Sequence, residues 1–229
     1  MRKLILFDID QTLVNVLSIH SKAYSAMFPE IFEIPGKLED IKYDGLRFND
    51  VVRQVALFHD VGEMTIEAKQ EDALKSYLNY FTENLPEDSS KYVLPGVFTL
   101  LEKINNSEHI AGIVTGNSKP TGERILKSAK LYDYFKIFAY SDDVKTREKI
   151  VEKAIISADE KYLIHFKDDD LVIIGDSIHD IDSGKPYNAK TIAVLTGSYS
   201  KEELKEHNPT YLFKDMRNAE MVYKAIIDV

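Results

Sequence analysis

Two aspartates one residue apart, Asp8 and Asp10, stand at the end of the apolar run Leu4-Ile5-Leu6-Phe7. Alternate residues of an extended chain point the same way, so both carboxylates can leave a buried strand toward one ligand. Two carboxylates about 4 Å apart repel by about 1 kcal/mol in water and by about 4 at an effective dielectric of 20. Such a pair calls for a cation or a shared proton, and the residues read first as a divalent-metal site. Groups of the same kind recur downstream: Thr115-Gly116-Asn117 closes one apolar run, and Gly175-Asp176-Ser177-Ile178-His179-Asp180 closes another. Ligands of a parallel sheet bind at the carboxyl ends of its strands, so these carboxylates and the small hydroxyl converge on one edge.

The elements that must position them are short apolar runs, each followed by helical spacing: residues 4–7, 110–114, 137–140, 171–174 and 191–195. Continuous Val/Ile-rich runs alternating with helices mean strands buried on both faces, and the expected class is α/β with a doubly wound, Rossmann-like parallel sheet. The stretch from Leu17 to Lys91 breaks that rhythm and reads as helices, with Ala23, Met27 and Phe28 on one face and Leu74, Tyr77, Leu78 and Phe81 on another. It is too long for a loop. The expected organisation is a core of residues 1–16 and 92–229 with a helical cap of residues 17–91 inserted after the first strand. Tyr77, at helical spacing with Tyr80 and Phe81, reads as core packing.

A net charge of −9 over 229 residues argues against nucleic acid or an anionic membrane face as partner. The absence of cysteine excludes disulfides, thiolate nucleophiles and thiolate metal sites. The apolar run at 4–7 is too short for a signal-peptide core or a membrane span. These features lead to the expectation of a cytoplasmic protein, monomer or homodimer, with nothing cleaved.

The motifs together resemble the haloacid dehalogenase superfamily, and within it the phosphoglycolate-phosphatase-like hydrolases. DIDQT at 8–12, LPG at 94–96, VTGN at 114–117, TREKIVEKAI at 146–155, IGDSIHDID at 174–182 and VLTGSYSKEEL at 194–204 carry the likeness by their order and spacing. The resemblance implies a phosphatase acting on a small phosphorylated metabolite. Asp8 matches the nucleophile that becomes an aspartyl phosphate. Asp10 matches the general acid and base, its backbone carbonyl a metal ligand. Thr115 matches the hydroxyl on a phosphoryl oxygen, with Gly116 and Asn117 beside it. Asp176 completes with Asp8 an oxygen site for Mg²⁺, and Asp180 supports it.

The family's cationic position falls in Val144-Lys145-Thr146-Arg147, where Arg147 is the choice and Lys145 the substitute; either could equally be a solvent-facing charge opening a helix. His20 falls where relatives carry a histidine at the start of the first cap helix, so it could face the site. Arg47 lies at the family's substrate-selecting loop, where it could meet a carboxylate or second phosphate, although a surface arginine is the plainer alternative. His179 reads as a loop residue that shapes its motif. Gln11 stands where glycine is commonest, which implies altered substrate gating. Two competing functions stay open: a phosphomutase of the beta-phosphoglucomutase type, which would share Asp8, Asp10 and His20, and a non-catalytic metal-binding protein on the same fold.

Overall fold

The computed structural model describes residues 2–142 and 144–228 of the chain. Among them, six parallel strands form one sheet in the order β3-β2-β1-β4-β5-β6. These are β1 (Leu4–Phe7), β2 (Ile110–Val114), β3 (Ile137–Ala139), β4 (Leu171–Gly175), β5 (Lys190–Val194) and β6 (Tyr211–Phe213). The strands β1, β2, β4 and β5 are buried along their whole length, which is why they read as unbroken aliphatic runs. Edge strand β6 was not among the expected strands: three half-buried residues, Tyr211-Leu212-Phe213, carry too little pattern to stand out.

The pleat of β1 divides the core. Leu4 and Leu6 face Ile150, Val151 and Ala154 of α6 (Arg147–Tyr162), and Ile5 and Phe7 belong with α4 (Val97–Asn105), α5 (Lys119–Ser128) and α9 (Ala219–Ile227). The remaining helices of the core are α7 (Ile178–Gly184) and α8 (Lys201–Glu206). From β1 the chain builds β2 and β3 to one side, then crosses to β4, β5 and β6 on the other. Connections therefore diverge at the carboxyl ends of β1 and β4, and a crevice opens there.

Between β1 and β2 the chain forms α1 (Leu17–Phe32), α2 (Phe48–Phe58) and α3 (Glu63–Asn84). Aromatic rings join them: Tyr77 lies 4.7 Å from Tyr24, 5.0 Å from Phe48 and 5.7 Å from Phe81, centroid to centroid. The buried face of α3 is Ile66, Ala73, Ser76, Tyr77 and Phe81. Leu74 and Leu78, expected on that face, are only half-buried, because the bulk of Tyr77 and Phe81 sets the helix rotation. Outgoing and returning segments run side by side: Asn15 N donates to the Tyr92 carbonyl at 2.8 Å and Leu94 N to the Leu13 carbonyl at 2.9 Å. No helix among the described residues is long and apolar enough to cross a membrane.

Gly96 shows why the LPG motif ends in glycine. Its φ is +89°, and a Cβ there would lie 1.8 Å from the backbone carbonyl oxygen of Met216. Both the left-handed backbone and the approach of α4 to the segment before α9 exclude a side chain. Gly96→Ala is expected to cost about 2 kcal/mol or more, read as a lower urea midpoint with an unchanged slope.

Candidate active site

Phe7 lies opposite Ile113 on β2 and Ile174 on β4. Asp8 directly follows β1, and Thr115 and Asp176 follow β2 and β4, so the register brings the three out side by side. Asp8, Asp176 and Asp180 are buried, and one carboxylate oxygen of each lies within 4.8 Å of the others. Arg147, the first residue of α6, is buried among them. Its Nη2 donates to Asp8 Oδ1 at 2.8 Å and also to Asp180, and its Nη1 donates to the Gly45 carbonyl at 3.1 Å. A cation at a helix N-terminus opposes the helix dipole by about 0.3–1 kcal/mol, which two buried carboxylates outweigh.

Local structure aims each acid. Asp180 closes a capping box on α7, its Oδ2 accepting from Ser177 N at 3.1 Å and Ser177 Oγ at 2.6 Å, which leaves Oδ1 for Arg147. Asp176 Oδ1 accepts from Thr12 Oγ1 at 2.8 Å. Asp10 is held differently: its Oδ1 pairs with His20 Nε2 at 2.9 Å and its Oδ2 accepts from Asn117 Nδ2. The other ring nitrogen of His20 pairs with the Tyr77 hydroxyl at 2.5 Å.

These surroundings drive the two aspartates of the opening motif apart. Burial pushes the Asp8 carboxyl up to about 7, opposed by Arg147 and reinforced by the charges of Asp180 and Asp10. Burial also lifts Asp176 well above the carboxylate range, aided by Asp180 and Asp8. Burial acts on Asp10 too, but the charge and hydrogen bond of His20 and the bond from Asn117 outweigh it and hold that carboxyl low.

A cavity of about 80 Å³ opens over these groups. Asp8, Asp10, Thr115, Gly116, Asn117, Arg147 and Asp176 line its core side; His20, Tyr24, Leu38, Tyr43, Asp44, Phe48 and Tyr77 line the other. The segment between α1 and α2 closes it. Phe48 N donates to the Gly116 carbonyl at 3.1 Å, Ser198 N to Asp44 Oδ1 at 3.3 Å, and Arg47 Nη1 to the Val144 carbonyl at 2.5 Å. Gly45, with φ +74°, passes so near α7 that a Cβ would meet Ser177 Oγ at 2.3 Å.

Of the residues singled out from sequence, Asp8, Asp10, Thr115, Gly116, Asn117, Asp176, Arg147 and His20 line this one cavity, with Asp180 joined to it through Arg147. Two are not brought there. Arg47 is tied bidentately to Asp50 at 2.7 Å and 2.7 Å, and Lys145 is exposed. His179 sits in the first turn of α7, not on a loop. Tyr77 does more than fill the core, since its hydroxyl meets His20 and its ring lines the cavity. Thr12 and Asp44 were not anticipated; Thr12 had a signal in the DIDQT motif, whereas nothing local marks Asp44. Gln11 has φ +58°, a left-handed backbone that glycine adopts freely and that costs another residue about 1–2 kcal/mol.

The profile of the haloacid dehalogenase-like hydrolases matches residues 5–194. The chain belongs to that family. As a haloacid dehalogenase-like hydrolase it is similar to a pyrophosphatase PpaX of Bacillus cereus (strain Q1), 26% identical over 219 residues that cover 93% of this chain and 92% of the relative. In fold it resembles a predicted phosphatase from Clostridium acetobutylicum (TM-score 0.74, 21% identity, 98% and 99% of the two chains covered). It also resembles beta-phosphoglucomutase from Clostridium difficile (TM-score 0.76, 16% identity, 99% and 97% covered). The expected family, the doubly wound α/β class and a hydrolytic enzyme of phosphatase type all agree with these likenesses. Divalent cations serve this family generally, and the all-oxygen donor set of Asp8, Asp176 and Asp180 fits a hard cation.

The raised Asp8 carboxyl has a stability consequence. A group that binds its proton more tightly when folded stabilises the metal-free protein below its unfolded value near 3.8, and that stabilisation is lost as pH rises toward about 7. In chelator, Asp8→Asn is therefore expected to gain in melting temperature over the wild type as pH rises from 4 to 7, by at least about 3 °C. A difference between the two that is flat with pH would count against the raised carboxyl.

Proposed function

We propose that the protein is a Mg²⁺-dependent phosphatase that hydrolyses a small phosphomonoester through an aspartyl phosphate on Asp8. The observation that carries this is the division of labour around one cavity: Asp8 sits within a buried carboxylate cluster, while Asp10, facing the same cavity, is held by His20 and Asn117. In this scheme an Asp8 oxygen attacks phosphorus as the ester P–O bond breaks, and Asp10 passes to the leaving oxygen the proton it shares with His20. A water then attacks the phosphoryl group, surrenders a proton to Asp10, and phosphate leaves as the P–O bond to Asp8 breaks. Thr115, Gly116 and Asn117 hold phosphoryl oxygens, and Arg147 orients Asp8. Mg²⁺, held by Asp8, Asp176 and the Asp10 carbonyl, would supply the positive charge that lets two anions approach. Asp180 keeps Arg147 in place.

Residues 17–91 act as the cap, with the paired segments at 13–15 and 92–94 as its hinge. By its measure the cavity has room for about five waters, which suits a phosphoryl group with a small substituent and not a nucleotide. The phosphoglycolate-like substrate implied by family resemblance and the pyrophosphate in the relatives' name are the first candidates of that size. The enzyme is read as cytoplasmic, a monomer or homodimer.

The test is phosphate release from a panel of small esters with Mg²⁺ and with chelator. Turnover should require the metal and fall by at least about 10³ in Asp8→Asn. Arg147→Ala should lose about 10²–10³ with a native near-ultraviolet circular dichroism spectrum, while Lys145→Ala stays within about twofold. Phosphoryl transfer to a sugar phosphate in place of water would instead decide for a mutase, the reading that the His20–Asp10 pair keeps in play. Protons and Mg²⁺ compete for Asp8, whose carboxyl burial lifts to about 7, so a fixed Mg²⁺ concentration of about 100 times the Kd at pH 8 should add about 2.7 kcal/mol to stability there and less at pH 6, read from melting temperatures with and without metal.

A further inference from the structure

We infer that the leaving group of the substrate carries no negative charge: the cavity selects the phosphomonoester of an uncharged or cationic small alcohol, with Asp44 and the surrounding tyrosines as the selecting residues. This rests on the phosphatase reading above and narrows it.

The inference follows from what the leaving group must touch. Beyond the phosphoryl-binding edge the wall is made by Tyr24, Leu38, Tyr43, Phe48, Tyr77 and the carboxylate of Asp44. Among the described residues lining the cavity, the one arginine or lysine is Arg147, and its guanidinium is taken up by Asp8, Asp180 and the Gly45 carbonyl. Both ring nitrogens of His20 are engaged, by Asp10 and by Tyr77. Arg47, the cap cation that sequence suggested for a second anionic group, spends its guanidinium on Asp50 and the Val144 carbonyl. A carboxylate or second phosphate entering this wall would lose its water and find no counter-charge.

Asp44 makes the wall selective as well as unwelcoming. It is buried, it lines the cavity, and its two oxygens accept from Ser198 N and Ser198 Oγ. A carboxylate has about four acceptor positions, so both oxygens keep capacity for a hydroxyl or ammonium donor. Its charge also reaches Tyr43, whose hydroxyl burial and Asp44 push up to about 12, and burial raises Tyr24 and Tyr77 as well. These phenols stay neutral, and with the Tyr77 hydroxyl engaged by His20 it is Tyr24 and Tyr43 that offer hydrogen bonds to an alcohol's polar atoms. Phosphoglycolate and pyrophosphate, which both put an anion on the leaving side, are thereby the poorer substrates.

The test compares kcat/KM in Mg²⁺ for glycerol 2-phosphate and phosphoethanolamine with that for phosphoglycolate and pyrophosphate. The same four compounds are titrated calorimetrically against Asp8→Asn. The first two should exceed the last two by at least about tenfold in kcat/KM. Leu38→Arg, which puts a guanidinium into the wall, should raise phosphoglycolate turnover and close the gap, and Asp44→Asn should narrow it by at least about threefold. Equal or faster turnover of phosphoglycolate or pyrophosphate by the wild type would overturn the inference while leaving the phosphatase standing. If no compound released phosphate, the phosphatase reading would fall. Calorimetry would then decide alone: tighter binding of the uncharged or cationic esters supports the selection, and tighter binding of the anionic pair, or none by any compound, overturns it.

Discussion

Three carboxylates are buried together past the carboxyl ends of β1 and β4 beside one guanidinium, which bonds two of them, Asp8 and Asp180, and much of the molecule is arranged around that imbalance. Removing one partner from a buried ion pair costs about 3–5 kcal/mol because the other charge is left uncompensated, so the contacts by which Arg147 joins α6 to Asp8 and to α7 hold the acids as much as the helix. One positive charge against three acids still leaves the cluster short of compensation. Burial answers part of the shortage by favouring protonated Asp8 and Asp176. A hard divalent cation would answer it while leaving Asp8 ionised, so a geometry that is costly when metal-free would suit the proposed phosphoryl chemistry.

Asp8 and Asp10 begin as equivalent residues on one extended segment and end with opposite tendencies. The difference arises at Gln11. Its left-handed backbone turns the chain so that Gln11 N bonds the Val14 carbonyl at 2.8 Å and Thr12 faces Asp176, leaving Asp10 beside His20 and Asn117. One carboxyl is pushed up by burial in an acidic cluster, the other held down by an imidazole and an amide. Without a cation this order is the reverse of what a nucleophile and a general acid require, and a cation on Asp8 together with the proton shared by Asp10 and His20 would invert it.

β1, β2 and β4 were legible because each is an apolar run of four or five buried residues, and Asp8, Thr115 and Asp176 because each directly follows such a run. Arg147 was legible from motif order, and its burial between Asp8 and Asp180 explains why Lys145, exposed two residues earlier, is no substitute geometrically. What escaped depends on tertiary packing. Arg47 is an arginine in the expected loop, yet Asp50, three residues on, captures it. Tyr77 has the spacing of a core residue and is one, and only the arrival of His20 from α1 reveals what its hydroxyl meets. Asp44 has no signal, since its neighbours in the fold, Ser198 and Tyr43, include one from the far end of the chain.

That contrast separates chemistry from selectivity. Groups that would act on phosphorus must occupy fixed places at strand ends, so a few short motifs can encode them, and the fold that sets those places recurs at 16–21% identity in proteins bearing different names. In the proposed reaction the leaving group would meet side chains drawn from α1, α2, α3 and the segment between α1 and α2, held over the core by bonds to Gly116, Val144, Arg147 and Ser198. Apart from the Ser198 bonds, which the Asp44 carboxylate accepts, none of those bonds is made by a side chain of the wall. Half-buried Tyr43 is free to change in size and charge without touching those bonds, whereas Leu38 and Phe48 also belong to the packed core. The sign of the charge presented by that wall is the physical variable on which relatives of common fold can diverge, and in this chain Asp44 makes it negative.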